Sequence, residues 1–256
     1  MKNVRLLAIV NTIGLIAALV LNYLANALPM NGKTTGELSD AYPNLFVPAG
    51  FTFAIWGVIY LALIAFVVYQ LRQAFSKNGN TGFISAIGWW FFVSCIANAD
   101  WIVAWHYEQV AVAFGLMLGI LISLIMIYQK LQVGLKSVSS ATKWLVHVPF
   151  SIYLGWITVA TIANATALLV DLGWDGFGIA PQTWTLIVLS VGTFIGLTIL
   201  QKRRDIAYVL VIIWAYYGII SKRMSIDGEI NNIAITAMIG IGLIAFEIIR
   251  SFFRKK

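Results

Sequence analysis

Asn98, Trp101 and Trp105 fall at i, i+3 and i+7, and Tyr153, Trp156, Ala160 and Asn164 follow in steps of three, four and four. At about 100° per residue, each set occupies one face of a helix. Trp56 and Tyr60 make a further pair at i and i+4. Indole and phenol rings supply flat apolar walls, and a few amides among them can satisfy the polar edge of a bound molecule. The chemistry that suits these residues is therefore non-covalent capture of a flat hydrophobic ligand, with Ala160 leaving room between Trp156 and Asn164. The same pattern also suits a packed seam, because Asn bonds membrane helices together for about 0.6 to 2 kcal/mol. Periodicity does not separate the two. Trp144, Trp174 and Trp184 stand at the ends of apolar runs and read as interfacial anchors.

The elements that must position these residues are membrane-spanning helices. Residues are 61% hydrophobic and 11% charged, against roughly 45 to 50% and about 25% in soluble domains. A spanning helix needs about 20 mainly apolar residues. Such stretches lie near 6 to 28, 51 to 71, 83 to 105, 110 to 128, 144 to 170, 183 to 200, 206 to 221 and 230 to 249. The fold class is therefore all-α, a polytopic helical membrane protein of about eight transmembrane helices. The seventh stretch is the shortest, and its 16 residues reach only about 24 Å.

Charge orients these spans. Lys2, Arg5, Arg72, Lys77, Lys130, Lys136, Lys143, Lys202, Arg203, Arg204, Arg250, Arg254, Lys255 and Lys256 fall in alternate gaps, leaving Lys33, Lys222 and Arg223 on the other side. The positive-inside rule makes the first set cytoplasmic. Both termini are then expected in the cytoplasm, with the chain in the cell (inner or plasma) membrane. Glu37, Asp40, Glu108, Asp171, Asp175, Asp227 and Glu229 occupy the outer gaps, so the net charge of +7 is a topology signal and not a nucleic-acid signal. In this orientation Asn22, Asn26, Asn98, Asp100 and Asn164 share the outer half of the membrane with Trp56, Tyr60, Trp101 and Trp105. The stretch from Leu28 to Gly50, the longest loop, holds Pro43, Pro48 and Gly50 and is placed to act as an outer lid.

Other chemistry is less well served. Asp100 is an intramembrane acid, the feature on which an ion- or proton-coupled small-molecule transporter would depend. It points about 200° away from Asn98 and stands about five residues from the outer end of its span. A retinal Schiff base would need a lysine within a span, and there is none. His106 and His147 belong to opposite sides, and Cys95 is the single cysteine, so no metal site is expected. Glu247 and Arg250 form an i, i+3 pair near the cytoplasmic end. Gly14 and Ala18, Gly115 and Gly119, and Gly192 and Gly196 are small-x3-small pairs suited to close packing within the chain or to a homodimer. A signal-peptidase reading of Ala25-Asn26-Ala27 competes with a first span, but the apolar run is longer than a signal core and contains Asn11 and Asn22.

At these residues the chain resembles the tryptophan-rich sensory protein family, also called the translocator protein or peripheral benzodiazepine receptor family. Pro48, Trp56 and Tyr60 match the family's Pro-x7-Trp-x3-Tyr frame at its second helix, and Asn98-Ala-Asp-Trp101 is similar to its third-helix Asn-x-x-Trp. Tyr153-Leu-Gly-Trp156 through Ala160 to Asn164 is similar to its fifth-helix Tyr-Leu-x-Trp-x-x-x-Ala-x-x-x-Asn. Ala54 and Ile152 stand where the family usually has proline. The resemblance implies a five-helix bundle over residues 1–172, followed by three additional helices over 173–256. It implies a receptor or binding protein for porphyrins (tetrapyrroles) or sterol-like lipids, with no required cofactor. It also implies Trp56, Asn98, Trp156, Ala160 and Asn164 as pocket residues, joined by Tyr60, Trp101 and Tyr153. Some members promote light-dependent porphyrin breakdown. The expected partners are membrane lipid, a hydrophobic small molecule and a second copy of the chain.

Overall fold

The computed structural model describes residues 2–28, 30–228 and 230–253, with the side chains of Lys2 and Asp227 also undescribed. Glu229, Arg254, Lys255 and Lys256, which contribute to the charge pattern, lie outside the described residues. Among the described residues the chain is helical, with no strand. The helices are α1 (Lys2–Ala27), α2 (Thr35–Asp40), α3 (Ile55–Phe75), α4 (Gly82–Ile87), α5 (Trp90–His106), α6 (Val110–Lys130), α7 (Ser140–Thr142), α8 (Val148–Asp171), α9 (Pro181–Arg203), α10 (Ile206–Asp227) and α11 (Asn232–Phe253). A 3-10 turn, Gly50–Ala54, leads into α3, and a π-type turn, Lys143–His147, leads from α7 into α8.

Seven helical segments among the described residues are long and apolar enough to cross a membrane. The expected third span is not one of them. It is broken into α4 and α5 at Gly88, whose φ of 57° and ψ of −133° suit a residue without Cβ. The 17 residues of α5 reach about 26 Å, close to the roughly 30 Å of hydrocarbon. The expected seventh span is longer than its apolar run suggests. The helix α10 continues through Lys222 and Arg223 to Gly228, a left-handed C-cap, and its 22 residues reach about 33 Å. Ala25 is fully buried on α1, which packs against α3 and α5.

Helices α3, α1, α5, α6 and α8 close a ring, each touching the next and α8 returning to α3. Side chains inside that ring divide by depth. Phe66, Phe91 and Phe150 fill the part nearer the basic side, with centroids 4.9 to 5.5 Å apart in edge-to-face pairs. Indoles and the remaining amides occupy the outer part, while Asn11 donates to Gln70 at 3.3 Å between α1 and α3 on the basic side. The helix α10 docks on α8, and α9 and α11 pack with it. Gly155 on α8 lets the chains approach closely, since a Cβ there would meet the Tyr208 carbonyl oxygen at 2.8 Å. On α9 and α11, Gly192 and Gly240 accommodate Tyr216, whose hydroxyl donates to the Leu189 carbonyl. The Gly192 and Gly196 pair therefore serves packing within the chain, as does Gly14, which abuts Phe92 and Cys95.

Candidate functional site

Trp56 is the hub of the outer half. It stacks on Tyr60 at 5.4 Å, lies 6.0 Å from Trp101, and meets Tyr153 and Trp156 edge-on at 6.0 and 6.3 Å. Trp101 stacks on Trp105 at 6.3 Å, and Trp105 reaches Tyr42 of the outer loop at 5.7 Å. Phe53 closes the edge of Trp156 at 6.0 Å. Helices α3, α5 and α8 thus converge on one run of rings, because each carries its aromatics at helical spacing on the face turned into the ring.

Two spaces border Trp56. A chamber of about 750 Å³ opens between α1 and α3 beneath α2, lined by Asn22, Asn26, Thr35, Phe53, Trp56 and Tyr60 among others. That volume lies in the range of about 300 to 1,000 Å³ typical of small-molecule pockets. Behind Trp56 a cleft of about 30 Å³ is lined by Trp101, Trp105, Trp156, Ala160, Asn164 and the outer-loop residues Thr35, Ser39 and Pro48. The cleft is closed to a ligand as it stands. Thr35, Phe53 and Trp56 line both spaces.

The eight residues expected from sequence divide accordingly. Trp56 and Tyr60 line the chamber, and Trp56, Trp101, Trp156, Ala160 and Asn164 line the cleft. Tyr153 and Asn98 line neither, and both are buried against the cluster. The two amides differ. Asn164 is engaged at both ends, accepting from Trp101 Nε1 at 3.0 Å and donating to the Ala160 carbonyl at 3.1 Å. Asn98 accepts from Asn22 Nδ2 at 2.8 Å and turns its own Nδ2 toward the Tyr60 and Tyr153 hydroxyls, short of a well-formed hydrogen bond to either. Trp105 Nε1 and Trp156 Nε1 are buried without a partner. Since Asn98 and Tyr60 face each other, the donors left over are the two indole N–H groups, each costing roughly 1 to 3 kcal/mol when buried unpaired. Asp100 is exposed on α5, on the face turned away from this cluster.

Sequence reasoning placed Asn22 and Asn26 at this depth without assigning them to the site, and missed Phe53 and Thr35. Phe53 sits in the 3-10 turn before α3, outside any regular spacing that would mark it. Thr35 reaches the site because the loop folds back over it. Thr34 caps α2 in a reciprocal capping box with Glu37, and Asn26 accepts from Thr35 Oγ1 at 3.1 Å. Those backbone and side-chain bonds from Thr34 lower the Glu37 pKa. Desolvation, with the nearby Glu108 charge second, raises that of Tyr42. Salt bridges from Lys33 to Glu108 and from Lys222 to Asp40 fasten the loop to the α5–α6 turn and to α10. Ala49 donates its amide to the Gly218 carbonyl at 3.0 Å, and Trp214 Nε1 donates to the Thr52 carbonyl at 2.9 Å. The outer loop is therefore held from both sides, and the C-terminal helices take part.

A family model for TSPO-like protein matches residues 8–250. The chain belongs to the TSPO-like family. The match runs through α9 and α10 and into α11, so it takes in the helices beyond residue 172 to which the sequence resemblance did not extend. No curated protein and no solved structure matches the chain. Membership together with the apolar helices describes a multi-pass membrane protein that binds ligands.

Proposed function

We propose that this protein is a membrane receptor or binding protein for a flat hydrophobic ligand, of the porphyrin or sterol-like class, held at Trp56 beneath the α2 lid. The observation that carries the reading is the pair of buried indole donors without partners, Trp105 Nε1 and Trp156 Nε1, at a cleft that shares Trp56 with a chamber of about 750 Å³ bordered by Tyr60. A planar macrocycle or ring system would stack on the indoles and offer its polar edge to these groups. Entry is from the α1–α3 side, with Trp56 swinging to admit the ligand toward Trp156 and Ala160. Coupled transport through Asp100 is the weaker reading, because that carboxylate is exposed and faces away from the site. The charge asymmetry supports a cell-membrane location with both termini cytoplasmic.

The test is extraction of what co-purifies with the protein, read by absorbance and mass spectrometry, followed by titration of a porphyrin into the delipidated protein. Asn98→Ala should weaken porphyrin binding at least about tenfold, or roughly 1.4 kcal/mol. Failure of the parent protein to bind any porphyrin or sterol would refute the proposal.

A further inference from the structure

A second large space opens at the basic end and runs up α8 to the first turns of α3. A groove of about 980 Å³ runs between α3, α8 and α10. Its walls are apolar, with Ile55 and Val58 on α3, Val148 and Ile152 on α8, and Leu210 and Trp214 on α10. Its basic end is ringed by Lys136, Lys143 and Arg204 against one carboxylate, Asp205. The two lysines alone outnumber that carboxylate. Lys136 and Lys143 are exposed and form no salt bridge among the described residues. The Lys143 ammonium lies 6.0 Å over the ring of Trp144, itself 62% exposed, a pairing suited to the membrane–water boundary.

The acid is engaged within the bundle. Asp205 is buried and accepts from Tyr128 Oη at 2.7 Å, Ser151 Oγ at 2.6 Å and the Tyr208 amide at 3.2 Å. The loop carrying Lys136 is fixed in place by Arg203, which donates to the Val133 carbonyl at 3.0 Å and lies 4.8 Å over the Tyr128 ring. Gly134 passes so close to the Arg203 carbonyl that a Cβ would meet it at 1.9 Å. The groove's basic end is thus a built structure. From Ile206 to Trp214 the apolar wall rises about 12 Å, close to one leaflet of a core roughly 30 Å thick.

We propose that this groove holds an anionic phospholipid of the leaflet on the basic side, its phosphate at Lys136 and Lys143 and an acyl chain along Ile152, Leu210 and Trp214. Basic pockets between membrane helices bind such head groups, and here an apolar channel of leaflet depth continues from the pocket. The site is separate from the Trp56 cluster and does not depend on the ligand proposed there.

Native mass spectrometry of the full chain, released from detergent with added phosphatidylglycerol or with phosphatidylcholine of the same acyl chains, reads it directly. At least about fivefold more phosphatidylglycerol should be retained. Lys136→Gln with Lys143→Gln should reduce that retention to the phosphatidylcholine level, and Leu210→Trp, which fills the groove, should reduce both. Lys77→Gln with Lys130→Gln, on the same side but outside the groove, should change nothing. Equal retention of the two lipids would overturn the proposal, as would an equal loss in the Lys77 and Lys130 variant, which would mean surface charge alone. Competition by inorganic phosphate at the concentration of added lipid would also overturn it, since the head group would then bind without the chain.

Discussion

Around Trp56 the outer half gathers rings from three helices and leaves the indole nitrogens of Trp105 and Trp156 without partners, whereas at the basic end Asp205 takes hydrogen bonds from Tyr128, Ser151 and Tyr208. Both are buried polar centres in an apolar bundle, and they differ in satisfaction. A saturated centre fixes the geometry of the elements that meet there, in this case α6, α8 and α10. An unsatisfied one retains capacity for a guest and lowers stability until the guest arrives. The contrast distinguishes a polar cluster that is already saturated from one that is not, without any appeal to depth or composition.

The largest effect is expected at the saturated centre. Asp205→Ala removes the acceptor of two buried hydroxyls and the N-cap of α10, and should destabilise the protein by roughly 3 kcal/mol or more. Asn98→Ala loses one interhelical bond and should cost only about 0.6 kcal/mol. Thermal unfolding in detergent, followed by circular dichroism, reads both, and the reverse order would break the comparison. Next comes the seam between lid and C-terminal helices. A Cβ on Gly218 would meet Thr52 Oγ1 at 2.0 Å, so Gly218→Ala should cost about 1 to 3 kcal/mol, and adding Thr52→Ala should recover much of it. No recovery would mean that α10 does not bear on the Gly50–Ala54 turn.

Smaller effects sharpen the boundary of the proposed binding centre. Asp100→Asn should leave porphyrin affinity within about threefold, or roughly 0.7 kcal/mol; proton movement with substrate in reconstituted vesicles, abolished by this variant, would replace binding with coupled transport. The smallest effect concerns the lid. Glu37 has its pKa lowered by its bonds from Thr34, so the capping box contributes above the ordinary carboxylate range and is lost as pH falls through the lowered value. Amide exchange at Leu38 and Ala41 should quicken at acid pH in the parent. In Glu37→Gln it should vary less with pH once intrinsic exchange is allowed for.

Much of the outer site was legible because its polar residues interrupt apolar runs. Asn98, Trp101, Tyr153, Trp156 and Asn164 repeat at helical spacing inside spans, and the spacing places them on faces that do meet at Trp56. The basic end was not legible. Asp205 follows Lys202, Arg203 and Arg204 in a gap between spans, where an acid looks solvated; only the return of Tyr128 and Ser151 from distant helices makes it a buried centre. Local sequence also hid the break at Gly88, since glycine is common in membrane helices and its positive φ emerges only with the fold. The length of α10 was hidden by Lys222 and Arg223, whose charges end the apolar run while the helix continues.

Tryptophan fluorescence during porphyrin titration tests the central claim most directly. A porphyrin seated at Trp56 should quench the emission, and Trp56→Ala and Trp156→Ala should each weaken binding at least about tenfold. Trp184→Ala should not, since its indole donates to the Gly176 carbonyl at 3.0 Å in the outer loop before α9. Each variant must first elute as the same detergent-solubilised species with unchanged helical content. If well-folded Trp56→Ala and Trp156→Ala both bind the porphyrin as the parent does, the cluster at Trp56 is a packed seam and not a ligand site.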